Sequence, residues 1–434
     1  MPATEVDVAI VGGGMVGASL AVALAGSGVS TMLVEGTPHG ERSQPSFDDR
    51  TTALGNASRR IFQGLDVWDR IASQASTIRT IHVSDAGRFG FARLSAAEQG
   101  IEAFGYVISN RVLGAALWEQ VQRGPDVLLR VPARPTGVQI AEKSVTFTLG
   151  SAGSGAAETV CARLVVAADG AHSSVREAAG IAADVEDYDQ VAIVANVAAD
   201  RPHDGTAYER FTESGPLAVL PLHDGSYGVI WTCRPSHAVE VLSFDDRTYL
   251  EELQRRFGWR AGRWVRAGTR ASYPLRLTRA ATTVATRTVL IGNAAQALHP
   301  VAGQGFNLGL RDAAMLAEVV VAASDPVRAR SSNLEGTAGP AGNAVAGDVG
   351  SPEVLRRFSQ WRAGDRQGVV RFTDGLVKLF GDTRPGVGVL RDLGLLLFDL
   401  APPAKSALAR VSAGFAGPTP RLARGLRLRT RIIQ

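Results

Sequence analysis

The chain has 434 residues, of which 45% are hydrophobic and 20% are charged, and this composition excludes a disordered or fibrous chain. The net charge of +4 is too small and too evenly spread to predict a nucleic-acid partner. The cysteines, Cys161 and Cys233, fit neither a zinc site nor a disulfide framework, which predicts a reducing compartment.

The chain opens with the pattern of a βαβ unit. Residues 6–11 predict a short buried strand, residues 15–27 a helix rich in small residues, and residues 31–35 a second strand. The opening lacks the basic region and cleavage site of a signal peptide. No stretch reaches the roughly 18 uninterrupted apolar residues that a membrane span needs. We therefore expect a cytoplasmic protein, with contact at most at the inner face of the membrane.

The middle of the chain is rich in predicted strands. Residues 141–149 and 191–232 contain β-rich segments separated by Gly, Pro and Asp, which predict a mostly antiparallel sheet. After Thr288 a buried strand, a glycine-rich turn and a helix over about 307–323 return to the style of the N-terminal unit. Residues 353–380 and 388–413 are predicted to be helical.

A glycine-rich turn follows the first predicted strand. Gly12, Gly14 and Gly17 form Gly-x-Gly-x-x-Gly. In this pattern the first glycine permits a tight turn, the second lets the backbone approach a pyrophosphate, and the third lets helix and strand pack closely. Glu35 ends the next strand, where a carboxylate can accept hydrogen bonds from ribose hydroxyls. The pattern predicts FAD or NAD, and not NADP.

Two later segments favour a flavin. Asp169 ends the buried strand that begins near residue 162, and Asn293 ends the strand that begins at Val289. Pro300 and the run Gly303–Asn307 then precede another helix. Backbone amides at that helix N-terminus suit the negative charge that a reduced isoalloxazine carries.

The three segments in this order resemble the para-hydroxybenzoate-hydroxylase-like class of flavoprotein aromatic hydroxylases. Within the class, the chain resembles the family of 2-polyprenyl-6-methoxyphenol hydroxylases of ubiquinone biosynthesis, closely over about residues 5–320. The matching segments are residues 47–54, 83–85, 209–218, 257–260, 273–278 and 292–309. Many members of the wider class have Asp in place of Asn293, whereas the ubiquinone branch has Asn.

The resemblance implies roles for the residues of these segments. The ADP half of FAD would be held by Gly12, Gly14, Gly17 and Glu35, and Asp169 would lie near the pyrophosphate and the ribityl chain. Side chains along the flavin would be Arg50 and Arg111. The ribityl chain and the ring would be lined by Asn293, Pro300, Gly303, Gln304, Gly305, Phe306 and Asn307. His299, beside Pro300 in the ring-proximal loop, is the candidate for influencing the reacting site, and these two are the predicted catalytic residues.

The resemblance also implies the reaction. Flavin reduced by NAD(P)H or another external donor would react with molecular oxygen to give a C4a-hydroperoxide, whose distal oxygen is transferred to the ring of a polyprenylated phenol. The expected partners are this substrate, oxygen, and other proteins of ubiquinone biosynthesis. No metal site is predicted.

Three alternatives stay open at this point. The first is a sibling ring hydroxylase of the same pathway with a different regiochemistry. The second is an NAD-dependent dehydrogenase, since the glycine pattern alone does not separate FAD from NAD. The third is a flavin-bearing scaffold that performs no chemistry.

The predicted fold class is α/β, or α+β overall: a Rossmann-like FAD-binding domain with an inserted, mostly antiparallel substrate domain and C-terminal helices. The FAD-binding domain is expected from residues 1–80, 100–180 and 285–323, the substrate domain from 81–99 and 181–284, a loop or disordered insertion from 324–352, and a helical region with a basic tail from 353–434.

The last fourteen residues are basic. Arg421, Arg424, Arg427, Arg429 and Arg431 alternate with apolar residues, and no acid offsets them. Two interpretations remain: a solvated or frayed tail, and a segment that contacts a membrane surface or a partner.

Overall fold

The structure is a computed structural model. It describes residues 2–38, 50–124, 126–151, 157–324, 347–381, 384, 387–399, 401, 403, 405–406, 409–410, 413–414 and 417–428.

The strands in chain order are β1 (Thr4–Val11), β2 (Thr31–Val34), β3 (Thr51–Gly55), β4 (Ser76–Ile78), β5 (Thr80–Asp85), β6 (Phe91–Ser95), β7 (Gly105–Ser109), β8 (Val127–Arg130), β9 (Ala133–Ile140), β10 (Val145–Ser151), β11 (Glu158–Ala167), β12 (Ala183–Ala199), β13 (Thr206–Thr212), β14 (Gly215–Pro221), β15 (Tyr227–Cys233), β16 (Trp264–Ala267), β17 (Ala271–Ala280), β18 (Val284–Ala285), β19 (Thr288–Leu290) and β20 (Gln296–Ala297). The helices are α1 (Met15–Leu24), α2 (Asn56–Gly64), α3 (Trp68–Ile71), α4 (Asn110–Arg123), α5 (Ser174–Ala178), α6 (Pro235–Ser243), α7 (Asp246–Phe257), α8 (Gln304–Ser324), α9 (Pro352–Gly381) and α10 (Val387–Asp399).

An eight-stranded sheet forms the nucleotide-binding unit. Its strand order is β18-β19-β11-β1-β2-β8, with β10 hydrogen-bonded to β11 and β9 to β10. The central strand β1 runs parallel to both of its neighbours. Its residues Val8 and Ile10 are buried against one hydrophobic cluster, and Ala9 and Val11 against another, as expected for a parallel strand covered on both faces.

The parallel strands end in register at one edge of this sheet. Val11 is paired with Val34 of β2 and with Ala167 of β11, and Ala167 is paired with Leu290 of β19. The residues that follow these strands therefore lie side by side. This edge is where open α/β sheets bind their ligands.

A nine-stranded sheet forms the second layer of the molecule. Its order is β20-β17-β12-β15-β14-β13-β5-β6, with β16 paired to β12. Among the described strand pairs of this sheet, β13 with β5 is the parallel one, and the others are antiparallel. Helices α6 and α7 cover one face of this sheet, and the core between them includes Trp231 of β15 and Tyr249 and Phe257 of α7. The structure thus confirms the predicted fold class of an α/β nucleotide unit with a mostly antiparallel sheet.

The two sheets share a segment of chain. In the chain, strand β20 follows β19 of the eight-stranded sheet and precedes α8. It nevertheless pairs with β17 of the nine-stranded sheet, Gln296 with Arg279 and Ala297 with Thr278. The expected FAD-binding segment 285–323 therefore contributes two residues to the other sheet. Residues 81–99 and 181–284 supply the other strands of that sheet, apart from Thr80, the first residue of β5. Val284 begins β18, which belongs to the eight-stranded sheet.

The insertion predicted over 324–352 begins where α8 ends, at Ser324. Its last part is a packed loop, because Val349 is buried and Asp348 forms an ion pair with Arg287. Residues 325–346 lie outside the described residues. The predicted helix 353–380 corresponds to α9, and the first part of the predicted helix 388–413 corresponds to α10.

The structure corrects the interpretation of residues 421–428 as a frayed tail. Leu422, Ala423 and Leu428 are buried in the core against α2 and α8. The backbone N–H of Arg421 donates to Glu318 at 2.7 Å. The alternating apolar residues of this segment thus anchor it to the fold. Arg429 and Arg431 lie outside the described residues. Of the helices that the structure describes, none is long and apolar enough to span a membrane.

Candidate FAD site

The first glycine turn forms a cradle with no room for side chains. Gly12 has φ +105°, and a Cβ there would lie 2.3 Å from the carbonyl oxygen of Ala168. A Cβ on Gly17 would lie 1.9 Å from the carbonyl oxygen of Gly12. Gly14 is the extended N-cap of α1 and provides no side-chain cap. The unpaired N–H groups of the first turn of α1 are therefore available to a phosphate.

Glu35 lies beside this cradle. Its Oε2 accepts a hydrogen bond from the backbone N–H of Gly13 at 2.6 Å, and its Oε1 accepts one from Thr37 at 2.8 Å. These bonds orient the carboxylate, and each oxygen keeps a further lone pair for a ribose hydroxyl.

Gly13 and Trp118 belong to the site, although the sequence analysis missed both. The indole N–H of the buried Trp118 donates to the carbonyl oxygen of Gly13 at 3.1 Å. A Cβ on Gly13 would lie 2.7 Å from the Trp118 ring. Because 105 residues separate the two in sequence, no local pattern reveals the contact.

Asp169 has one occupied and one unsatisfied carboxylate oxygen. Oδ2 accepts from the backbone N–H of Ser174 at 2.9 Å and so fixes the start of α5. Oδ1 is buried and has no hydrogen-bond partner among the described residues. A buried acceptor of this kind requires a donor, and a ribityl hydroxyl of FAD would supply one. Arg176 donates to the carbonyl oxygen of Ala294 at 3.1 Å, which ties this segment to the turn that presents the exposed Asn293.

Asn307 holds the start of α8 against β3 and α2. Its Oδ1 accepts from Gly55 N–H at 2.8 Å and from the Ser58 hydroxyl at 2.6 Å. Its Nδ2 donates to the carbonyl oxygens of Ala53 and Gly303, at 2.7 and 2.8 Å. The amide is fully satisfied within the protein, so only the backbone of Asn307 is available to a cofactor.

The other residues of the ring loop also offer their backbone. Gln304 is buried, and Phe306 stacks on Phe62 with ring centroids 6.2 Å apart. Gly303 has φ +61°, a conformation that glycine adopts without strain. A Cβ on Gly305 would meet no described atom within 4 Å. The loop therefore presents open space beside bare backbone, as a flat ring requires.

His299 lies inside the protein next to this loop. Its Nδ1 accepts from the backbone N–H of Val301 at 3.1 Å, and its Nε2 lies 3.2 Å from Oε1 of Gln190 on β12. Burial lowers the pKa of His299 to about 4. The ring is thus neutral at physiological pH, with the proton on Nε2, and it joins the loop to β12. Its neighbour Pro300 is exposed.

We expect His299 to make the protein sensitive to mild acid. The pKa of His299 is about 4 in the folded protein and 6.5 ordinarily. The contribution of the neutral ring to folding stability is therefore complete above pH 6.5. It is lost as the pH falls toward 4, because the unfolded chain then binds a proton that the folded protein does not. Between these limits the wild type should lose about 3 kcal/mol of unfolding free energy beyond the loss in His299→Gln. Denaturant unfolding of both proteins across this range measures the difference. Parallel pH profiles would contradict the assignment.

Arg50 and Arg111 come together at one end of the β3–β7 pair. Thr51 pairs with Ser109, and the N–H of Asn110 donates to the carbonyl oxygen of Arg50 at 2.9 Å. The Arg50 guanidinium lies over the ring of Tyr273 on β17, 4.5 Å from the ring centroid. Arg50 thus bridges β3 and the nine-stranded sheet, while Arg111 lies in the first turn of α4.

A buried charge network supports the Asn293 turn from behind. Oδ2 of Asp312 on α8 accepts from Gln296 Nε2 at 3.0 Å and from Gly292 N–H at 3.4 Å. Its Oδ1 accepts from Nε of Arg362 on α9 at 2.7 Å. Arg362 is completely buried and also pairs with Asp365. Sequence reasoning assigned no role to these residues.

The cradle, the unsatisfied Asp169 oxygen and the open ring loop lie along one sheet edge and fit FAD. Together they define a dinucleotide-binding flavoenzyme fold with a second sheet facing the site. No group of His, Cys, Asp and Glu suited to a metal occurs among the described residues.

Comparison with known proteins gives the same class. The sequence profile of the FAD binding domain family matches residues 5–330. Ubiquinone hydroxylase UbiL of Rhodospirillum rubrum is 37% identical, over 97% of this chain and 93% of that protein. The 3-demethoxyubiquinol 3-hydroxylase of Escherichia coli is 31% identical, over 94% and 98%. The crystal structure of p-nitrophenol 4-monooxygenase PnpA from Pseudomonas putida shares the fold, with a TM-score of 0.75 at 19% identity, over 95% of this chain and 99% of that chain.

The chain belongs to the FAD binding domain family and is an FAD-dependent aromatic-ring monooxygenase. The predicted cofactor and reaction class are confirmed, and NAD(P)H is the typical electron donor of the family. The dehydrogenase alternative is therefore set aside.

Proposed function

We propose that this protein hydroxylates the aromatic ring of a polyprenylated phenol, 2-polyprenyl-6-methoxyphenol, in ubiquinone biosynthesis. The observation that carries the proposal is similarity along almost the whole chain to two hydroxylases whose names place them on ubiquinone or its demethoxy precursor. The match extends through the second sheet and the C-terminal helices, where a substrate-specific surface would lie.

In this proposal the sheet edge holds FAD, which supplies electron transfer and oxygen activation when bound. Gly12, Gly14 and Gly17 let the backbone and α1 approach the pyrophosphate, and Glu35 accepts from the ribose. Asp169 and Asn293 would bind the ribityl chain. The arrangement of the four strand ends in register supports these roles.

The ring loop would orient the flavin against the substrate. Gly303 to Asn307 offer backbone amides at the N-terminus of α8, which favours negative charge on the ring. Arg50 and Arg111 would lie along the flavin, and Pro300 would line the ring. His299 is a positioning residue: its neutral ring holds the loop to Gln190, and water is excluded around it.

A sibling activity at another position of the same ring is the second candidate. It is favoured by the name of the Escherichia coli relative, which specifies hydroxylation of demethoxyubiquinol. Either substrate carries a prenyl chain, so we propose that the enzyme works on the cytoplasmic side, at the membrane surface or with other proteins of the pathway.

Product analysis tests the function. The holoprotein is incubated with NAD(P)H, isotopically labelled oxygen and a short-chain 2-prenyl-6-methoxyphenol, and the product is examined by mass spectrometry. We expect a phenol with one added, labelled oxygen atom, and its fragmentation identifies the ring position. Oxidation of NAD(P)H that yields only hydrogen peroxide with every phenol offered would contradict the proposal, and the absence of any NAD(P)H oxidation would favour a scaffold.

Gly305→Val is the matched inactive variant for this assay. Its side chain would fill the open space beside the ring loop, while the glycine cradle is untouched. We expect bound FAD to stay near the wild-type level and product formation to fall at least about a hundredfold, since misplacement by about 1 Å costs that much. Flavin absorbance and product yield are the two measurements. Normal turnover would show that this loop does not face the ring.

A further inference from the structure

Helix α10 presents its charged residues to the protein. The Arg391 side chain is 8% exposed and pairs with Asp85 at 2.9 Å. The Asp392 side chain is 2% exposed, and its Oδ1 accepts from the backbone N–H of Gly90 at 3.2 Å. A helix on a protein surface ordinarily directs such residues to water and its apolar residues to the core. In α10 Arg391 and Asp392 instead face inward, although Phe398 near the end of the helix packs on the core.

The outward side of α10 is apolar. Val389, Leu393 and Leu397 follow one another at four-residue spacing, and they are 53%, 47% and 67% exposed. This spacing places them on one face of the helix. Three large aliphatic residues in a row on an exposed face indicate a surface with a partner.

Two elements that pack beside α10 also carry exposed apolar side chains. Arg391 donates to the carbonyl oxygen of Leu379 at 3.0 Å, which brings the end of α9 beside α10. The β5–β6 turn contacts α10 through Gly90, and the adjacent Phe89 is 63% exposed. Leu379 is 49% exposed. We call Phe89, Leu379, Val389, Leu393 and Leu397 the apolar patch.

Exposed basic side chains flank the apolar patch. Arg88, which is 41% exposed, precedes Phe89 in the chain, and Lys378, which is 58% exposed, precedes Leu379. Helix α10 itself contains two acids, Asp392 and Asp399. Both acids are engaged, since Asp392 is buried and Asp399 pairs with Lys405 at 2.8 Å. Arg384 and Arg410 are exposed in this region.

We infer that the apolar patch docks the enzyme on an anionic lipid bilayer. Aliphatic and aromatic side chains enter the interface, and the surrounding basic residues attract anionic headgroups. A second copy of the chain fits less well, because a symmetric contact would oppose two basic regions. Docking here places α10 at the membrane. Helix α9 connects α10 to the FAD site. Near its end Phe380 stacks on Phe211 of β13, and nearer its start Arg362 joins the buried charge network behind the Asn293 turn. The inference rests on the proposed function only for the lipid nature of the substrate.

Cosedimentation of the holoprotein with vesicles tests the inference. We expect binding to phosphatidylcholine vesicles that contain phosphatidylglycerol, and weaker binding to phosphatidylcholine alone. The double variant Leu393→Ser and Leu397→Ser should lower the partition coefficient about tenfold or more, because it removes two inserted side chains. The matched control is Val239→Ser with Leu242→Ser on α6, which removes two other exposed apolar residues (71% and 36% exposed) and should bind like the wild type.

Equal binding by the Leu393/Leu397 double variant and the wild type, with normal flavin content, would overturn the inference. So would a wild-type dimer that this variant converts to a monomer, which would make the patch a self-association surface. If vesicles bind through the patch but no phenol is hydroxylated, only the proposed function fails. If the short-chain phenol is hydroxylated but the variant binds vesicles normally, only the docking surface fails.

Discussion

Gly12→Ala is expected to remove FAD from the purified protein almost completely. The added Cβ would lie 2.3 Å from the carbonyl oxygen of Ala168 and 2.7 Å from the backbone nitrogen of Asp169. The φ of +105° at Gly12 is also a conformation that alanine rarely adopts. The ends of β1 and β11 must therefore separate, which opens the cradle and displaces the unsatisfied oxygen of Asp169. Flavin content below about a tenth of the wild-type level is the expected result.

The control for this substitution is Gly368→Ala on α9. A Cβ there meets no described atom within 4 Å, and alanine favours a helix, so flavin content and stability should be unchanged or slightly higher. Far-ultraviolet circular dichroism of both variants separates loss of cofactor from loss of fold. A Gly12→Ala protein that is folded and retains flavin would place the pyrophosphate elsewhere.

Arg362→Leu is expected to destabilise the protein by about 3 to 5 kcal/mol, the range found when one member of a buried ion pair is removed. The substitution leaves Asp312 and Asp365 buried without the guanidinium that both contact. The matched control is Arg356→Leu on the same helix, whose pair with Glu353 is largely exposed and should contribute less than about 1 kcal/mol. Denaturant unfolding measures both. Similar losses in the two variants would contradict the importance of the buried network.

The pH dependence of this effect provides an internal check. Burial alone would raise the pKa of Asp365, but the Arg311 and Arg362 guanidiniums outweigh it and hold that pKa below its usual value. A lowered carboxyl pKa contributes stability above the ordinary range near pH 4, and this contribution is lost as the pH falls through the lowered value. The difference between wild type and Arg362→Leu should therefore shrink in acid.

Local patterns predicted the parts of the site that depend on local backbone geometry. The glycine turn and Glu35 could be identified because a tight turn needs glycine and because strand ends of a parallel sheet meet at one edge. The same reasoning brought Asp169 and Asn293 to that edge. The roles of individual side chains were harder to foresee. The sequence assigned the backbone of Asn307 to the cofactor but did not reveal the role of its side chain, whose amide makes four hydrogen bonds inside the protein.

Contacts between distant segments could not be predicted. Trp118 reaches Gly13 only after α4 packs beneath the cradle, and Arg362 reaches Asp312 only after α9 packs on α8. Neither partner lies in a recognisable motif with the other. The segment that contains Leu422 and Leu428 was misjudged for a related reason. Its arginines suggested solvent exposure, but the leucines between them are buried in the core. That core forms only when distant segments of the chain pack together.

Strand β20 has a consequence for domain grafting. A chimera that exchanges the substrate unit by cutting at residues 181 and 284 would leave Gln296 and Ala297 behind, and they would have to pair with a foreign edge strand in place of β17. Gln296 is also the residue through which Asp312 and Arg366 hold the Asn293 turn. A mismatch at that edge would therefore be transmitted to the flavin pocket. A transplant that preserves cofactor affinity must carry residues 291–300 along with the sheet, which makes this loop part of both modules.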